Sequence, residues 1–107
     1  MSQLEHREIS HDLPAVLDAA AVRDLYGRIE PFITENTLLT LNAAAVERLG
    51  TQAVQLLLAT ARALDMNGGR LAIVHATPPL RDAYADLGLL TELDARSLRH
   101  EEKDTYG

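Results

Sequence analysis

A chain of 107 residues, 47% of them hydrophobic, is the size of one domain able to build a core without metal or disulfide staples. The absence of cysteine excludes disulfides and thiolate zinc sites. A net charge of −6 disfavours nucleic acid or anionic lipid as the main ligand, because both attract basic surfaces.

The first residues, Met1-Ser2-Gln3-Leu4-Glu5-His6-Arg7-Glu8, are polar and mixed in charge, unlike a signal peptide, and no apolar run approaches the ~18 residues of a bilayer span. A cytoplasmic protein with a protein partner is the expectation. Residues 1–12 read as an N-terminal segment, with an edge strand expected within residues 7–13. Residues 13–17 are short and apolar, and Pro14 argues against a central strand there. Asp18 is a good N-cap for a helix in which Val22, Leu25, Tyr26 and Ile29, continuing to Phe32-Ile33, form one apolar stripe. Pro31 should end or kink that helix. After a turn at Thr34-Glu35-Asn36, Leu38-Leu39-Thr40-Leu41 has the length and character of a buried strand.

Thr51 then stands where an N-cap belongs, ahead of a helix running to Met66. Val54, Leu57, Leu58 and Ala61 are predicted to turn toward the sheet. Asn67-Gly68-Gly69 stops this helix, and Leu71-Ala72-Ile73-Val74 follows as a second strand. Strand, helix, strand at this spacing is a crossover that makes the two strands parallel and adjacent or near neighbours. Thr77 and Pro78 fit the cap and first position of a third helix, with Leu80, Tyr84 and Leu87 inward and Gly88 at its end. Residues 89–93 read as a last edge strand or extended segment. Charge rises from Asp94, which predicts a solvated tail over residues 94–107.

The four histidines, His6, His11, His75 and His100, are far apart, and none has the i,i+4 spacing of a helical metal pair. There is no Gly-x-Ser-x-Gly elbow, no dinucleotide fingerprint and no Walker A sequence. The expectation is a non-enzyme with no cofactor and no metal. Thr51 is the distinctive residue. A hydroxyl at a helix N-terminus can cap the helix, accept a phosphate that the helix dipole tolerates, or contact a partner. The arc of the same helix opposite its inward stripe carries Gln52, Leu56, Ala59 and Ala63. Arg62 and Asp65 are the only charges between Thr51 and Met66. An outward face this short of charge is either covered by a neighbouring helix or reserved for a partner, and the close, flat approach that alanine and glutamine permit favours the partner.

Three stretches taken together resemble the STAS domain, the anti-sigma factor antagonist fold. They are Leu17-Asp18, then Val46-Glu47-Arg48-Leu49-Gly50-Thr51 followed by Gln55-Leu56-Leu57-Leu58, and Gly69-Arg70-Leu71-Ala72-Ile73-Val74 leading to Pro79 and Leu87-Gly88-Leu89. The resemblance covers residues 13–93. It implies a single α/β domain with a mixed, mostly parallel sheet packed by three to four helices. It also implies a non-catalytic regulator that docks on a kinase-like anti-sigma factor or a signalling histidine kinase. The family pattern Asp-Ser-Ser-Gly or Asp-Thr-x-Gly falls on Gly50-Thr51-Gln52-Ala53, so Thr51 matches the phospho-acceptor, while Gly50 and Ala53 replace the Asp and the Gly. The partner face expected from the resemblance and the helix pattern comprises Gly50, Thr51, Gln52 and Gln55 at the helix start. Leu56, Ala59 and Ala63 lie along its outer side. Similar divergent proteins serve as small subunits on the ATPase of lipid-transport ABC systems, or as accessory proteins in chemotaxis signalling.

Overall fold

A computed structural model describes residues 7–97. Strand β1 (Arg7–Asp12) and the two-residue β2 (Val16–Leu17) precede helix α1 (Ala19–Ile29). After them come β3 (Thr37–Asn42), the short β4 (Arg48–Leu49), α2 (Thr51–Met66), β5 (Arg70–Val74), α3 (Pro78–Asp86) and α4 (Leu90–Ser97). The main sheet has the order β1-β3-β5, β2 pairs with β4, and every one of these pairings is parallel. The expected edge strand is β1. The expected crossover is present, with β3 and β5 adjacent, parallel and joined through α2.

Burial alternates along β3 and β5, as period-2 side-chain geometry requires. Leu39, Leu41, Leu71 and Ile73 point into the core, where they join Val54, Leu57 and Leu64 of α2 and Leu25 and Ile29 of α1. The opposite side of these strands, with Leu38, Thr40 and Ala72, is half-buried.

Local chemistry sets the ends of the helices. The Asp18 carboxylate accepts a 2.9 Å hydrogen bond from the Ala21 amide and caps α1. Pro31 lies in a single 3-10 turn, Glu30–Phe32, that closes the helix. At the end of α2 the Gly69 amide donates to the Leu64 carbonyl (2.8 Å) and the Gly68 amide to that of Asp65 (3.3 Å), with Gly68 at φ +79°. This is a Schellman stop. The same arrangement ends α3, where Gly88 (φ +73°) and Leu89 donate to the carbonyls of Ala85 and Tyr84.

Several local expectations need correction. Tyr26 is 46% exposed, because Leu25 and Ile29, four apart, already occupy the inward line of α1. Leu58 is half-buried while Ala53 and Thr60 are buried, so the inward arc of α2 is rotated from the expected one. Leu87 is exposed, being the C-cap of α3 and no longer within its inward stripe. The last edge strand is absent. Residues 90–97 form α4, since Leu93 is fully buried at helical spacing from Leu89 and Leu90, and Glu92 pairs with Arg96 one turn on. The segment expected as a tail from Asp94 therefore starts inside this helix, and residues 98–107 lie outside the described residues.

Candidate docking site

The β2–β4 pair builds the site. Leu17 sits opposite Leu49, which brings the two residues that follow, Asp18 and Gly50, to the rim of one concavity. Both are helix N-caps, so α1 and α2 start side by side. The connection from β3 to β4, residues 43–47, is longer than that from β1 to β2, residues 13–15, yet the two are tied together. The Glu47 and Arg48 amides both donate to the Ala15 carbonyl, at 2.7 and 3.1 Å. Val46 is buried, and its carbonyl accepts a 2.7 Å bond from the Thr77 hydroxyl, which anchors the start of α3 to the same corner. Thr77 holds the cap position expected for it, but its hydroxyl serves this cross-link and makes no cap bond.

The N-terminus of α2 differs from expectation in one respect. Its N-cap is Gly50, extended at φ −107° and ψ 178°, and Thr51 is the first residue of the helix. Only the flanking residue has non-helical backbone at a cap, so the Thr51 hydroxyl is not the capping group. Glycine offers no side-chain oxygen, so Gly50 makes no side-chain cap bond to α2. Two positive helix ends thus meet at this corner. That of α1 is met by the Asp18 carboxylate, and that of α2 faces outward with Thr51 and Gln52 exposed.

The structure divides the expected partner face in two. Gly50, Thr51, Gln52 and Gln55 are exposed at the start of α2. Leu56, Ala59 and Ala63 lie further along, in a groove between α1 and α2. Leu56 is half-buried and packs against the core, so it is a wall of this groove and not a fully outward residue. The opposite wall is Tyr26 and Ile33, with Thr60 and Glu30 completing the lining. Sequence reasoning missed these four. The available signal was that Tyr26 falls one position off the Leu25–Ile29 line, which turns it toward the neighbouring helix.

His11 lines a separate groove beside α1 with Asp12, Asp24 and Arg28, where Arg28 is paired with Asp24 at 2.8 Å. His75 is exposed with φ +61°. His6 and His100 lie outside the described residues. Among the described residues no group of three histidine or acidic side chains gathers at one point, and no helix is long and apolar enough to cross a membrane.

Residues 12–99 match the family model described as "Mlab, STAS domain". No curated protein and no solved structure matches the chain.

Proposed function

The chain belongs to the STAS domain family, and we propose that it is a non-catalytic regulatory module that docks on a kinase-like signalling protein through the start and outer side of α2, with Thr51 as its switch. One observation carries this reading: Thr51 is exposed at a helix end with no side-chain cap, beside the start of a second helix. A phosphate on its hydroxyl would sit at the positive end of α2, where the fold accepts negative charge. A partner surface shaped for a neutral hydroxyl would have to desolvate that charge without compensation. The low charge of the helix face behind it, where Ala59 and Ala63 allow close approach, supports docking in the same place.

The test compares Thr51→Glu with Thr51→Ala, measuring the amount of each bound partner captured from source cells, with thermal melts alongside. Both variants should fold. Thr51→Ala removes no cap, and Thr51→Glu places a carboxylate at the helix start, worth about 0.3–1 kcal/mol in favour of the fold. Capture should fall about tenfold or more for Thr51→Glu, a loss of at least ~1.4 kcal/mol, and persist for Thr51→Ala. Equal capture by the two variants would place Thr51 outside the contact surface.

A second reading has one observation in its favour. Gly50 and Ala53 depart from the Asp and Gly of the acceptor pattern, and Ala53 is buried. A subunit held permanently on the ATPase of a lipid-transport ABC system needs the docking face but no acceptor chemistry. An accessory role in chemotaxis signalling would use the face in the same way. A permanent subunit would co-purify in fixed ratio whatever the state of Thr51.

A further inference from the structure

The groove between α1 and α2 contains a group that helix packing does not require. Thr60 is 2% exposed on its floor. Within a helix a threonine commonly turns its hydroxyl back onto the carbonyl one turn earlier, but that of Thr60 makes no hydrogen bond among the described residues. Thr37, the other buried threonine, is paired with Thr34 at 3.1 Å. No side-chain oxygen or nitrogen among the described residues is both sealed from solvent and unpaired. The small area that Thr60 keeps therefore includes its hydroxyl oxygen. Around it the lining is apolar, from Tyr26, Ile33, Leu56, Ala59 and Ala63, apart from Glu30. The Glu30 side chain is exposed at the rim and makes no ion pair among the described residues.

We propose that this groove receives a lysine side chain from a helix of the docking partner. Its aliphatic stem lies against Tyr26, Leu56 and Ala59, and its ammonium donates to the Thr60 hydroxyl and the Glu30 carboxylate. The sign follows from Glu30, the one charged residue in the lining, and from the chain's net charge of −6. The choice of lysine follows from the acceptors. One hydroxyl and one carboxylate at separate points suit a compact ammonium with three donors on a flexible stem better than the rigid fork of a guanidinium. An apolar stem with a charged tip also matches an apolar trough with a polar floor and rim. This inference rests on α2 as the docking face and adds the chemistry of what docks there.

The test titrates the isotope-labelled full chain with a hydrocarbon-stapled helical peptide of about twelve residues, too short to hold a helix unaided. The peptide presents a lysine among alanine and leucine on one face, and counterparts carry norleucine or glutamate in its place. Amide shifts at Ala59, Thr60 and Ala63 are expected, with the lysine peptide binding about tenfold tighter than the norleucine one. Glu30→Gln should reduce that preference to about twofold. The near-isosteric Thr60→Val should weaken lysine binding by a similar factor while melting no lower than the parent. Equal or tighter binding of norleucine, preference for glutamate, or shifts confined to other surfaces would overturn the proposal. So would peptide-independent, concentration-dependent shifts at the groove with a dimer mass in sedimentation, which would make a second copy the occupant. The peptide assay does not involve Thr51. Failure here, with Thr51→Glu still losing its partner, would overturn the groove chemistry alone.

Discussion

Gly69 is the most closely approached of the described glycines, because a Cβ placed there would overlap the Thr37 carbonyl oxygen where β3 and β5 begin. Gly69→Ala is expected to destabilise by about 1–3 kcal/mol or more through forced separation of the strands, read by urea denaturation. Gly88→Ala makes a useful comparison. That position has open space but φ +73°, so its cost, about 1–2 kcal/mol, is conformational. Tyr84 supplies a pH prediction. Burial, reinforced by Glu92, pushes its phenol well above the ordinary value of 10.0. Above pH ~10 the unfolded chain releases this proton and the folded chain keeps it, so stability falls as pH rises, approaching about 1.4 kcal/mol per pH unit for this group. Below that pH the contribution is constant. Tyr84→Phe should remove this part of the alkaline slope in melts from about pH 9 to 11, around the ordinary tyrosine value of ~10. The stop signals at Gly68 and Gly88 were legible from composition, since few residues besides glycine end a helix at positive φ. The Gly50 cap was not, because a threonine beside it is the commoner capping residue and only the backbone angles separate the two.

Among the elements, α2 tests the depth of the two faces. Leu57 is buried and Leu56 and Leu58 are half-buried. Leu57→Ala should cost about 2–5 kcal/mol in chemical denaturation, and alanine at Leu56 or Leu58 distinctly less. Equal losses at Leu56 and Leu57 would mean that the groove side is covered in solution. Helix α4 is held differently. The Arg96 side chain, 13% exposed, donates to both Asp65 carboxylate oxygens at 2.8 and 3.3 Å and to Glu92 at 3.1 Å, and so clasps α4 to α2. Because both acids are partly solvated, Arg96→Ala should loosen the helix by about 1 kcal/mol. The expected readout is roughly fivefold faster hydrogen exchange across α4, with α1 unchanged. The strands β3 and β5 and the helix between them were readable because strand runs, stop signals and helical period agree there. Helix α4 was not, since a run such as Leu89-Leu90-Thr91-Glu92-Leu93 fits either period and the deciding contacts come from distant Asp65 and Arg70.

For the molecule as a whole, the expected α/β class and mostly parallel sheet hold, and the placement of the site follows from them. Parallel strands turn into their helices at one pole, where their C-terminal ends lie. The register of β2 with β4 sets the starts of α1 and α2 together there, next to the loop that leads into α3. The sequence indicated Thr51 and the outer side of α2 but not the second wall, because a groove belongs to two helices and neither pattern contains the other. The parallel pairing has a further consequence for synthesis. Arg7 meets Thr37, Val16 meets Arg48 and Leu38 meets Arg70, so among the described residues no strand has a partner nearby in the chain. During translation β1 must wait for β3. Then β3, with Leu38, Leu39 and Leu41, stands with an open edge until α2 and β5 have emerged. The hazardous interval for a nascent chain therefore falls between the completion of Asn42 and that of Val74, and pauses of the ribosome within it should raise aggregation more than pauses elsewhere.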